Sequence, residues 1–260
     1  MIATVCIPTY NAAEHLDATL RSVAGAAHIL VHDCGSTDDT VKIARAHGAH
    51  VRVFWGQTWD VFPEYTFRNR LTSAAAEVFP DTTHILLMDA DEVVSHNWPA
   101  VLDNWAAAYP QYGFGVQYYQ LVGHPAFMQG TGPIEYRLLC APVGAGPFFA
   151  DSGRVGPHQC AADMSRTILL RDIHWFHLGY TGNLTARWRR NIARGDYATA
   201  EPGHNDWLMR KLYPWNDVRP VPQALRDTCL TLNTLIAKDK REVFLGEGGT
   251  TIAHIGCNEP

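Results

Sequence analysis

Asp89-Ala90-Asp91 closes the apolar run His84-Ile85-Leu86-Leu87-Met88, and Glu92 follows directly. Such a run reads as a buried strand of an α/β sheet. Ligands bind beyond the C-terminal ends of strands in sheets of this kind. Carboxylates are hard oxygen donors suited to Mg2+ or Mn2+, and these ions in turn hold phosphates. The competing reading is a strand end followed by an acidic helix start.

Two upstream clusters carry similar chemistry. Pro8-Thr9-Tyr10-Asn11 ends the first apolar run, and Asp33-Cys34-Gly35-Ser36-Thr37-Asp38 ends the second. Tyr10 can stack on a base, and Asp33 can accept from a base N–H. One carboxylate of the Asp89 pair can bond a ribose while the other holds a metal on a diphosphate. The chain has neither G-x-G-x-x-G nor G-x-x-x-x-G-K-[ST], which argues against a dinucleotide oxidoreductase or a P-loop NTPase.

The elements that would position these clusters alternate. Strands are predicted at Ile2–Ile7, His28–His32, Val51–Trp55 and His84–Met88. Helices are predicted between them at Ala12–Ala24, capped by Asn11, at Asp39–His47, capped by Ser36 or Thr37 and ended by Gly48, and at Thr66–Val78. This alternation implies a doubly wound parallel sheet over the first 95 or so residues, with all three loops on one edge. Further on, strands are predicted at Gly113–Val122, Glu135–Cys140 and Thr167–Leu170. Val143–Gln159 reads as a loop over a site, Leu184–Arg194 as an Arg-rich helix, and Gln223–Phe244 as a terminal helix.

Composition sets outer limits. The 260 residues are 47% hydrophobic and 18% charged with a net charge of -5, which suits a globular protein and argues against wholesale coating of nucleic acid. No apolar run reaches the length of a membrane span. The first strand begins beside Met1, so the expectation is no signal peptide and a cytoplasmic location. The six cysteines form no C-x-x-C pair and read as reduced thiols.

Taken in order, CIPTYNAAEHL, VHDCGSTDDT, FRNRLTSAA and HILLMDADEVV resemble glycosyltransferase family 2. The wording is similar to its WaaE-like and SunS-like branch. The resemblance implies an α/β fold of GT-A type, a Rossmann-like doubly wound mixed sheet with a C-terminal helical and loop-rich acceptor region. Residues 1–112 would form the nucleotide-sugar-binding half and 113–260 the acceptor-binding half of one domain. The implied reaction moves a sugar, with inversion and with Mn2+ or Mg2+, from a nucleotide diphospho-sugar to a hydroxyl. UDP-sugar is the default donor.

Residue by residue, the resemblance places Pro8, Thr9, Tyr10, Asn11, Asp33 and Arg68 around the base and diphosphate. Asp89, with Ala90, meets the ribose or the metal, and Asp91 is the direct metal ligand. His177, in His177-Leu178-Gly179-Tyr180, is a further metal ligand, while His174 falls on the opposite face of an extended segment. Relatives carry His-Glu where this chain has His158-Gln159, and Gln cannot act as a base. The base is then His158 or a nearby carboxylate, Asp151 ranking before Asp163. The acceptor is left open among a saccharide, a lipid-linked or lipopolysaccharide-type glycan and a hydroxymethylated DNA base. The patch Arg187 to Arg194 is either a polyanion contact or a solvated helix face. The alternatives are a nucleotidyltransferase acting on a nucleoside triphosphate and an inactive nucleotide-sugar-binding homologue.

Overall fold

β1 (Ala3–Thr9) is buried along its whole length, with a paired strand on each edge and packed side chains on both faces. It pairs in parallel with β2 (His28–Asp33), and β2 with β3 (His50–Val53). On its other edge β1 pairs in parallel with β4 (His84–Leu87). The structure, a computed structural model, describes residues 1–53, 64–129, 135–143, 167–179, 181, 218–239, 242–245 and 252–255; for 64–69, 135–141, 218, 242–245 and 252–255 the backbone alone is described.

The parallel block continues into an antiparallel one. β5 (Glu92–Val94), β6 (Gly113–Val122), β7 (His124–Gln129), β8 (Glu135–Pro142), β9 (Thr167–His177) and β10 (Val218–Pro220) complete the main sheet. Its order is β10-β7-β6-β8-β4-β1-β2-β3, with β9 running parallel along β6 and antiparallel to β5. The sheet is therefore mixed and crosses the boundary near residue 112 without interruption. β11 (Glu242–Leu245) and β12 (Ile252–Ile255) form a separate antiparallel pair.

Strand alternation divides the interior. Val5, Ile7 and Leu86 point into a core with Leu16 and Leu20 of α1 (Leu16–Ser22) and Trp98 and Leu102 of α4 (Trp98–Ala108). Cys6, Ile85 and Leu87 point to the opposite face, where Leu71 and Ala75 of α3 (Glu64–Val78) cover them. Helices on both faces leave β1 and β4 buried at every residue, Thr4 and His84 included, as parallel strands require. α2 (Thr40–Ala46) ends at Gly48, whose φ of 73° suits the left-handed turn after a helix.

Several local expectations change. Asn11 does not cap α1: it has a φ of 48°, and the helix begins only at Leu16. Ser36 and Thr37 do not cap α2 either; Asp38 Oδ1 accepts from Thr40 N at 3.0 Å. The strand predicted to end at Leu170 runs on to His177, through an irregular stretch where Val116 pairs Leu170 but Gln117 pairs His174. The single terminal helix is two, α5 (Gln223–Asp227) and α6 (Leu230–Lys238). Between them Cys229 is extended and buried, with its Sγ donating to Val94 O. β5, β7, β10, β12 and α4 have no counterpart in the sequence reading, and β11 is a strand where the terminal helix is predicted to run to Phe244. The predicted loop 143–159, beyond Val143, and the predicted helix 184–194 lie outside the described residues.

Burial leaves chemical marks. Cys6, Cys34 and Cys229 are free, buried thiols; burial pushes Cys6 well above the ordinary thiol range and Cys229 up to about 11. His32 is 3% exposed, and burial, aided by the charge of Arg52, lowers its pKa from 6.5 to about 4. Burial lowers His84 and His174 as well. An unfolded chain takes up these protons near pH 6.5, and the folded chain takes up that of His32 only near 4. Between those values the unfolded state binds more protons, so stability falls as pH drops. The thermal midpoint is expected to decline from pH 6.5 toward 4, and His32→Gln to flatten that decline. A midpoint independent of pH across the window would contradict this reading.

Candidate functional site

The strand order reverses between β1 and β4, since β1 leads to β2 and β3 on one side and β4 returns on the other. A crevice opens at such a switch point beyond the carboxyl ends of the strands. Three of the loops named from sequence end there, after Thr9, Asp33 and Leu87.

The first two loops are tied to one another. Asp33 is fully buried, and its carboxylate accepts from Gly35 N (3.0 Å), Ser36 N (2.9 Å), Ser36 Oγ (2.5 Å) and Thr9 Oγ1 (3.1 Å). Those four donors match the acceptor capacity of a carboxylate. A base N–H could bond Asp33 only by displacing one of them. Gly35 has a φ of 83°, which lets the backbone turn back onto Asp33. Asn11 N donates to Ser36 Oγ at 2.8 Å, and Thr37 N donates to Asn11 Oδ1 at 2.8 Å. Ala12 N donates to Thr40 Oγ1. The left-handed turn at Asn11 thus aims its amide across the gap between loops. Pro8 and Thr9 are buried in β1, while Tyr10 at its end is 36% exposed.

The third loop carries the acids. Ala90 is 9% exposed, and its carbonyl accepts from Thr19 Oγ1 of α1 at 2.8 Å. Glu92 is fully buried, and its Oε2 accepts from Asp89 N at 2.8 Å. Glu92 also opens β5 and stands opposite His177 on β9. That register brings His177 Nε2 within 3.3 Å of Asp91 Oδ2. Leu178 N donates to Asp91 O at 2.7 Å, which extends the pairing past the strand. His177 is 9% exposed, and its Nδ1 lies 2.9 Å from Gln120 Oε1 of β6.

The donor set can be tested against a divalent cation. Two ligands at right angles, each about 2.1 Å from one ion, stand roughly 3 Å apart. The 3.3 Å between Asp91 Oδ2 and His177 Nε2 is near that separation. A bond from Nδ1–H to Gln120 leaves the Nε2 lone pair toward Asp91, the orientation a ligating imidazole needs. Among the described residues no set of three His, Cys, Asp or Glu side chains forms a metal cage. A two-donor site suits an ion that takes its other ligands from phosphates and water. Asp91 and His177 therefore fit Mg2+ or Mn2+.

His174 faces elsewhere: its Nδ1 lies 3.3 Å from Thr228 Oγ1 and its ring packs on Tyr119. Arg68 falls within α3, but its side chain lies outside the described part of the structure. Asp151, His158, Gln159, Asp163 and the arginines from Arg187 to Arg194 also lie outside the described residues. Gln120, Thr19 and the supporting role of Glu92 were not read from sequence. Gln120 offered a signal: it continues the face of Phe114, Val116 and Tyr118, as a polar residue in an apolar run.

Residues 4–131 match the model of glycosyl transferase family 2. The matched segment includes Tyr10, Asp33, Asp89, Asp91 and Gln120, while His177 lies beyond it. The sheet that frames the site is mixed α/β with a parallel centre. No curated protein matches the chain. Among solved structures, S. aureus TarS 1-349 in complex with UDP-GlcNAc is 20% identical, over 48% of this chain and 36% of that one, with a TM-score of 0.40. S. aureus TarS 1-349 alone is 15% identical over 79% and 68%, with a TM-score of 0.49. Glucosyl-3-phosphoglycerate synthase from Mycobacterium tuberculosis, with Mn2+, UDP-Glc and phosphoglyceric acid, is 19% identical over 45% and 43%, with a TM-score of 0.35. This chain spans less than half of the first and third of these structures.

The Asp33 turn makes a direct prediction. Asp33→Asn turns one acceptor into an NH2 group facing donors. Unfolding free energy is expected to fall by about 1–3 kcal/mol, with faster amide exchange at Gly35 and Ser36. A urea midpoint and exchange rates equal to the parent's would refute this account of the loop.

Proposed function

We propose that the chain is a glycosyltransferase that moves a sugar from a nucleotide diphospho-sugar to an acceptor hydroxyl. The observation that carries the reading is the Asp91–His177 pair, 3.3 Å apart at the switch-point edge beside the Tyr10 and Asp33 loops. The family match over residues 4–131 supports it independently.

In this reading Tyr10 stacks on the base, and Asp33 holds the loop that frames it. Asp89 meets the ribose, Arg68 the diphosphate, and Asp91 and His177 hold Mn2+ or Mg2+. A cation bound there would offset negative charge on the departing diphosphate. Uridine is the proposed base. The acceptor O–H gives its proton to a base, and its oxygen attacks the anomeric carbon. The bond from that carbon to the diphosphate oxygen breaks, and the nucleoside diphosphate leaves with the electron pair. Asp151 or His158 is the proposed base, and the configuration inverts. The second half of the chain selects the acceptor, a saccharide, a lipid-linked glycan or a hydroxylated DNA base. Placement in the WaaE-like and SunS-like branch is also proposed, supported by the wording around Asp33, Asp91 and His177.

Incubation with a panel of nucleotide sugars and Mn2+ is expected to release a nucleoside diphosphate. Asp91→Asn is expected to lower that release by more than about a hundredfold, since loss of a direct ligand should exceed the 10- to 100-fold effect of an outer partner. EDTA should do the same, with circular dichroism unchanged. Full turnover in either case would overturn the metal assignment. Pyrophosphate release from a nucleoside triphosphate would point instead to a nucleotidyltransferase.

A further inference from the structure

Gln120, His177 and Glu92 occupy one rung across three strands. Gln120 pairs with His177 in the parallel β6–β9 ladder, and His177 pairs with Glu92 in the antiparallel β9–β5 ladder. Residues opposite one another in neighbouring strands project to the same side of the sheet. The rung therefore lies behind the acidic turn.

Gln120 is 6% exposed, and both ends of its amide are engaged. Its Nε2 donates to Leu121 O at 3.1 Å. A carbonyl can only accept, so the NH2 end is fixed there and Oε1 is turned toward the ring of His177. An amide oxygen also only accepts. The 2.9 Å contact with Nδ1 is therefore a hydrogen bond only if Nδ1 carries the hydrogen. In a neutral imidazole the lone pair is then on Nε2, the nitrogen 3.3 Å from Asp91 Oδ2.

We propose that Gln120 is a positioning residue for the metal site. It holds His177 in the Nδ1–H tautomer and in the ring orientation that presents Nε2, beside Asp91, to a divalent cation. The inference rests on the proposed use of Asp91 and His177 as metal ligands. Gln120 touches neither the cation nor the nucleotide; it acts through His177. Outer partners of this kind are typically worth 10- to 100-fold in metal affinity.

The test reads the tautomer and the affinity separately. Imidazole 15N–1H correlation spectra at alkaline pH, without metal, report which nitrogen of neutral His177 carries hydrogen. Calorimetry with Mn2+ in the presence of UDP reports the affinity. The wild-type chain is expected to show Nδ1–H and to bind Mn2+. Gln120→Met, close in length but without the amide acceptor, is expected to shift His177 toward Nε2–H and to weaken Mn2+ binding about 10- to 100-fold. Gln120→Glu keeps an acceptor facing Nδ1 and is expected to keep the Nδ1–H tautomer and to bind Mn2+ more tightly than Gln120→Met does. Wild-type Nε2–H, or a Gln120→Met variant with parental tautomer and affinity, would overturn the role of Gln120 alone. Failure of the wild-type chain to bind Mn2+ with UDP, despite an Nδ1–H tautomer, would overturn the metal-site reading beneath it.

Discussion

The register between β5 and β9 is the constraint on which the rest of the site depends. Glu92 opposes His177, and Leu178 N reaches back to Asp91 O at 2.7 Å. Side chains alternate along a strand, so a slip of one residue would send His177 to the other face. There it would occupy the face that His174 now holds, near Thr228 and Tyr119. The apolar partners hold the register. Val93 and Phe176 are buried in one core, while Val94 and Trp175 are buried in the other. Slippage would exchange the two sets.

Around that register the molecule builds a site from loops that cross-link one another. Asp33 gathers Thr9, Gly35 and Ser36, and Ser36 in turn receives Asn11 N. Asn11 then accepts from Thr37 N. The loops after β1 and β2 are therefore one hydrogen-bonded body rather than two independent segments. Glu92 and Thr19 fix the third loop, through Asp89 N and Ala90 O. Apart from the hydroxyls of Thr9 and Ser36 on Asp33, these bonds run between side chain and backbone, which is how a strand edge holds carboxylates at defined positions.

Much of the parallel half was legible in the sequence, because its strands are unbroken apolar runs and its loops carry turn-forming residues. The acids at the strand end and Tyr10 stood out by residue type and position, and His177 only through the family wording around it. The β5–β9 register was not. β5 is only the three residues Glu92–Val94, too short for a periodic signal, and its partner is more than 80 positions away in sequence. Asn11 was misread as a helix cap for a related reason. Its side chain finds its partner at Thr37, on another loop, and local sequence does not record such a contact. The break between α5 and α6 depends on Cys229 reaching Val94 O, a long-range contact again. Gln120 needed the ladder itself, since only pairing shows that it stands beside His177.

Asp91 and His177 are proposed to ligate one divalent cation together. Electron spin-echo spectroscopy of Mn2+ bound to the chain with UDP tests it most directly, because it detects nitrogen in the coordination sphere. An imidazole-nitrogen modulation is expected in the wild-type chain and is expected to disappear in His177→Ala while Mn2+ is still bound. Bound Mn2+ with no nitrogen modulation in the wild-type chain would contradict it.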